Sequence, residues 1–328
     1  MGEKSRVIFL ENFDKLRDAL KEFNIYDFAD REVLLKLHMG EIGNRYHPKS
    51  SDIRKVVDIL RSFRVKPFLF DTTVAYNSLR QSRKGYEKVA AIHGFTRIAE
   101  VVIDDKGIPV EVANRVYEVA EHIYSSTHII SYAHVKGHLN VGTGGSIKNF
   151  GMGGVTKESK KKMHLGSRPI SHEDRCTRCG RCIEVCPANA ISIKKSVWMH
   201  SLRRCFGCGL CVENCIYSAL TYQDLDLQYS IACAAKACLD GKKTIYINEL
   251  RRISRSCDCD PSADPIICPD IGFLVSNDPV AVDKASLDMI YELKPNVFKE
   301  INHVDPIKQI IFGEEIGLGS SSYKLESF

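Results

Sequence analysis

Eight of the thirteen cysteines fall between Cys176 and Cys215, in two copies of one spacing. Cys176, Cys179, Cys182 and Cys186 form C-x2-C-x2-C-x3-C followed by Pro187, and Cys205, Cys208, Cys211 and Cys215 repeat it. Three thiolates two residues apart can wrap a short loop around one iron–sulfur cube, and the fourth is spaced to ligate another cube. Structural zinc sites use paired ligands and rarely a series of this kind. A disulfide framework suits a short secreted chain, whereas this one has 328 residues. The spacing predicts two [4Fe–4S] clusters.

The halves match beyond cysteine. Ala190-Ile191-Ser192-Ile193 follows the first set and Ala219-Leu220-Thr221-Tyr222 the second, each predicting a short strand after the last ligand. This internal duplication, residues 168–224, resembles the bacterial two-cluster ferredoxin. The resemblance implies that Cys176, Cys179, Cys182 and Cys215 hold one cluster, and Cys205, Cys208, Cys211 and Cys186 the other. Ile216 departs from it, standing where the second half usually carries proline.

Other residues able to do chemistry gather where strands are expected to end, the usual ligand-binding edge of open α/β sheets. They are Lys36 to Glu41, Asp71 to Tyr76, His134 to His138, and Cys257-Asp258-Cys259. Lys136, His138 and Lys148 are the catalytic candidates, able to orient or protonate an anionic acceptor. His134 and His138 with Cys257 and Cys259 have the donor chemistry for a further metal, or are loop histidines with ordinary hydrogen bonds. Cys257 and Cys259 could equally be a redox dithiol. The glycine-rich run from Gly142 to Gly154 matches neither G-x4-G-K-[ST] nor G-x-G-x-x-G. It is either plain turn geometry or a backbone cradle for a carboxylate or phosphate, aided by Lys136 and Lys148.

These residues need a scaffold. Strands are expected at 6–10, 32–37, 66–70, 127–131, 244–247 and 271–275. Helices are expected at 12–23, from Ser51 as cap, at 85–93, 110–123 and 227–239, and from Asp278-Pro279 through Ile290. The alternation argues for an α/β lobe with a largely parallel sheet. Residues 1–167 and 225–328 are expected to form it, with the small α+β ferredoxin-like domain, 168–224, inserted.

Composition bounds the rest. At 44% hydrophobic and 27% charged residues the chain has the make-up of an ordinary soluble protein. No apolar run approaches the roughly 18 residues that span a bilayer, so no membrane partner is expected. The first residues are charged and lack a secretory h-region, and cysteine usage suits a reducing cytoplasm. The formal charge is +5, but each oxidised cluster with four thiolates carries about −2, leaving roughly +1. Nucleic acid is therefore not an expected partner. From Arg168 to Leu220 eight basic residues face four acidic ones. They either offset cluster charge or form a docking face for an acidic electron carrier, a ferredoxin or flavodoxin.

Lys36 to Asn44, Lys66 to Tyr76, His134 to Gly154, and Cys257 through Asp283 together resemble the family catalogued as domain of unknown function 362. Lys36, His38, Gly40, Glu41, Asp71, Thr73, His134, Lys136, His138, Lys148, Cys257 and Cys259 match its recurring motifs. The resemblance implies an iron–sulfur protein, often with such an insertion, and no settled substrate. The function expected is electron transfer through the clusters to a substrate or cofactor on the α/β lobe. The alternatives are a non-catalytic shuttle between protein complexes and a metal- or cofactor-assembly factor.

Overall fold

A computed structural model describes residues 4–262 and 265–328. The short apolar runs, rich in β-branched and aromatic residues, become strands of a single sheet. In chain order these are β1 (Ser5–Leu10), β2 (Glu32–Leu37), β3 (Lys66–Thr72), β4 (Val101–Asp104), β5 (His128–His134), β6 (Lys243–Leu250), β7 (Gly272–Ser276) and β8 (Tyr323–Ser327). Across the sheet they run β8-β1-β7-β6-β5-β2-β3-β4. β7 is antiparallel to β1 and β6, and the other pairs are parallel. The protein is thus mixed α/β with a mostly parallel sheet.

Central strands of such a sheet are buried on both faces and need continuous apolar sequence. In β2, Leu34 packs with Ile129, Phe150 and Ile231 on one face. Leu35 packs with Ile130, Ile53 and Val57 on the other. The Leu227–Leu239 helix has the bounds its sequence predicts, capped by Asp226. Asp278 caps the Pro279–Leu293 helix by accepting from the Val280 and Ala281 amides. The helix expected from Ser51 starts one residue earlier, with no side-chain cap.

One expected element is wrong. Residues 110–123 form most of a hairpin, Gly107–Val112 against Arg115–Ala120, and only Glu121–Ser125 is helical. Ala113 and Asn114 both have positive φ, 50° and 58°. That is the two-residue turn whose twist suits a hairpin. The alternation Ile108, Val110, Val112 outweighs the helical spacing that also fits this stretch.

Residues 169–222 add no strand to the large sheet. They form two small two-stranded pairings and two short helices, Arg181–Glu184 and Leu210–Glu213. Among the described residues no helix is long and apolar enough to cross a membrane. The reading of the first residues as lacking a leader rests partly on residues 1–3, which lie outside the described ones.

Candidate functional site

A cavity of about 710 Å³ opens at the C-terminal ends of β2, β3 and β5. β2 brings Lys36 and, just beyond it, His38; β3 brings Asp71; β5 leads into Lys136 and His138. The Ser146–Gly151 helix supplies Lys148 and Asn149, and the Lys157–Gly166 helix supplies Lys160 and His164. Cys257 and Cys259 reach it from beyond β6. Most of the polar groups expected at strand ends therefore meet at one place.

Several of its charges are buried and paired. Lys36 Nζ donates to Asp71 Oδ1 at 2.7 Å and to Asn149 Oδ1 at 3.1 Å. Tyr86 donates to the other Asp71 oxygen. Burial opposes ionisation of Asp71, yet Lys36 beside it holds the carboxyl below its ordinary range. Arg80, fully buried, donates to Glu41 at 3.1 Å, to His38 Nε2 at 2.8 Å and to Tyr76. Burial and then Arg80 push His38 down to about 3. Lys160 donates to Thr72 Oγ1 and the Thr73 carbonyl, each at 2.6 Å. Burial, reinforced by Lys36, Arg80 and Lys148 against Asp71, pushes Lys160 down to about 7.

Two cations are less committed. Among the described residues, Lys148 has no hydrogen-bond or ion-pair partner. Arg168, also on the cavity wall, has a buried Nε without a partner. A buried donor left unsatisfied is costly, so Arg168 suits an anionic occupant, and Lys148 adds a second cation on the same wall. Lys136 is different: its ammonium meets the Asp258 carboxylate at 3.2 Å and donates to the His134 carbonyl at 2.7 Å.

The cysteine turn is anchored by its middle residue. Asp260 N–H donates to the Cys257 carbonyl at 2.8 Å, closing a tight turn. Asp258 is fully buried and accepts from His134 Nδ1 at 2.9 Å. His134 Nε2 donates to the Arg251 carbonyl at 2.8 Å. Both ring nitrogens of His134 thus face oxygen acceptors, which removes it from the expected metal-ligand set. His138 stays in it: its donor atom and the Cys257 and Cys259 sulfurs lie within 4.8 Å of one another. The hydrogen bond from the Cys259 thiol, helped by Lys148 and His138 against burial, holds Cys257 well below its ordinary value. The same bond pushes Cys259 up.

Amides within the glycine-rich run hold a carboxylate of the chain itself. Asp283 occupies that position, accepting from the Ser146 and Ile147 amides at 2.7 and 2.8 Å. The glycines serve packing instead. A Cβ at Gly151 would stand 2.2 Å from the Ile231 carbonyl oxygen, and one at Gly153 2.6 Å from Lys36 Nζ.

The eight patterned cysteines sort into two sets. Cys176, Cys179, Cys182 and Cys215 line one small cavity, and Cys186, Cys205, Cys208 and Cys211 line another, each of about 20 Å³. Cys205 and Phe206 also line the large cavity. Asn140 Nδ2 donates to the Phe206 carbonyl at 2.7 Å, tying that loop to the cavity wall.

Arg80, Asn149, Lys160, His164 and Arg168 were not singled out from sequence as site residues. The first two sit beyond the strand ends, in a short 3-10 turn and the short Ser146–Gly151 helix. Lys160 and His164 share the face of their helix that carries buried Met163, a weak signal.

The mostly parallel sheet, with a basic cavity at the C-terminal ends of its strands, defines an α/β protein. The chain belongs to the family described as Domain of unknown function (DUF362), which matches residues 33–288. No curated protein matches its sequence. Similar solved structures include the lactate racemase apoprotein from Thermoanaerobacterium thermosaccharolyticum, at 11% identity and TM-score 0.45, covering 88% of this chain and 57% of that one. A Thermotoga maritima protein has 10% identity and TM-score 0.42, covering 92% of this chain and 59% of its own. This chain thus spans under two thirds of the length of either.

Proposed function

We propose that the protein is an iron–sulfur oxidoreductase that passes electrons to an organic anion held in the 710 Å³ cavity. The observation that carries this reading is Cys205, which lines both a four-cysteine cavity and the large one. Residues 168–224 would be an inserted ferredoxin-like module, and its cysteine sets fit the group by number, donor type and three-plus-one origin. The amides of Ala190 and Ala219 donate to Cys186 and Cys215 sulfurs at 3.3 Å, as suits thiolates. Bound there, [4Fe–4S] clusters would supply one-electron transfer.

The lobe's own residues bind and orient. Lys148, Lys160 and Arg168 neutralise the anion, while Lys36 and Asp71 fix the cavity floor. His138, kept neutral by burial and by Lys148, presents a proton donor beside the cysteines. Lys194, Lys195, Arg203 and Arg204 are exposed and would meet an acidic one-electron carrier.

Anaerobic purification followed by iron analysis and mass spectrometry of released small molecules tests this. About eight irons per chain and a bound organic anion lost in Lys148→Glu are expected. Iron without any cavity ligand would favour the shuttle; absence of iron would sink the reading altogether.

A further inference from the structure

We propose that Cys257 and Cys259 form a reversible disulfide and reduce a small anionic disulfide bound in the cavity. The pair rests on the turn's geometry, and its supply of electrons rests on the electron-transfer reading above. Cys257 and Cys259 lie two apart in a tight turn and both line the cavity, while Asp258 between them is held by His134 and Lys136. The Cys259 amide donates to Cys257 Sγ at 3.4 Å. Their sulfurs lie within 4.8 Å, and rotation about χ1 must close this to about 2.05 Å for a bond.

The same three residues could hold a metal, but the orientation of His138 argues against it. Its Nδ1 accepts from the Asn140 amide at 3.2 Å, so the ring proton of the neutral form lies on Nε2. A metal-ligating histidine is arranged the other way, with a bare nitrogen toward the metal and an N–H toward an acceptor. His138 is set to donate toward a sulfur.

The chemistry balances. The Cys257 thiolate attacks one sulfur of the bound disulfide, forming a mixed disulfide and releasing the first thiolate. The Cys259 thiol loses its proton and attacks Cys257 Sγ, releasing the second thiolate, which takes up that proton. The Cys257–Cys259 bond then accepts two electrons and one proton, regenerating thiolate and thiol. The electrons arrive singly from the Cys205 side, the upstream reductant being a one-electron protein carrier. Lys148 and Arg168 on the wall select an anionic substrate.

The test uses the full chain, purified anaerobically, in a Cys268→Ser background because Cys268 shares a tryptic peptide with the pair. Thiol trapping and mass spectrometry across dithiothreitol buffers should find a bond between Cys257 and Cys259 that opens and closes reversibly. Two free thiols at every poise, or about one zinc per chain lost in Cys257→Ser, overturns the proposal. Cys259→Ser should trap glutathione on Cys257 after exposure to glutathione disulfide; no adduct overturns the substrate class. Iron is measured in parallel. A reversible bond in an iron-free protein supports the dithiol while sinking the electron-transfer reading, and iron without the bond does the reverse.

Discussion

Every apolar side chain of β2, from Val33 to Leu37, is sealed between two layers. Residues 169–222, by contrast, gather a small apolar cluster around Ile191, Cys211 and Leu220. The sheet is held by continuous burial. The cysteine segment is too small to stabilise itself that way, since short modules need disulfides or metal. Its cysteines, all free thiols in the described structure, are the means left. On the proposed iron–sulfur reading, one chain combines a region whose order is set by packing with one whose order depends on what its thiols bind.

If the proposed clusters are present, removing their iron should break this comparison most visibly. After chelation, limited trypsin digestion is expected at Arg175, Arg178 and Arg181 while β2 and β5 stay protected. Uniform digestion across the chain would refute the division. Within the sheet, Asp71→Asn leaves Lys36 buried without a counter-charge and should cost about 3–5 kcal/mol in urea unfolding. Leu35→Ala should cost about 2–5 kcal/mol by the cavity it leaves, with the iron content unchanged.

A smaller effect concerns Lys160, whose folded-state value is depressed to about 7. Between there and the ordinary lysine value of 10.5 the folded state holds fewer protons than the unfolded one. Stability should therefore rise with pH across that window. Anion affinity in the cavity should fall as pH rises through about 7, where folded Lys160 loses its charge. Lys160→Met should flatten both profiles, read by thermal melts and ligand titration. Least of all, reduction by an acidic protein carrier should slow as salt rises; a rate indifferent to salt would remove the docking face from the account.

What was legible in sequence follows the same division. β2 and the Leu227–Leu239 helix have the bounds their patterns imply, because burial imposes a period on sequence. The hairpin at 107–120 is ambiguous in sequence because two periods fit it and the Ala113–Asn114 turn decides between them. At the site, Lys136, His138, Lys148, Cys257 and Cys259 do converge on one cavity. Sequence could not tell that Lys136 is committed to Asp258, nor that Asp283, far along the chain, fills the glycine loop. Neither fact leaves a local pattern, since both are long-range pairings of single polar groups.

The strand order has a consequence for how the protein is made. β6 lies between β5 and β7, so Ser131 pairs with Tyr246 only after everything between them has left the ribosome. Such distant pairings form late because the intervening chain must first be closed into a loop. The cysteine segment is fully synthesised before the middle of the sheet can zip shut. Synthesis of that segment and closure of the lobe are thereby set in sequence by topology, and a chain truncated after residue 225 and released should already carry all eight thiols with the sheet still open.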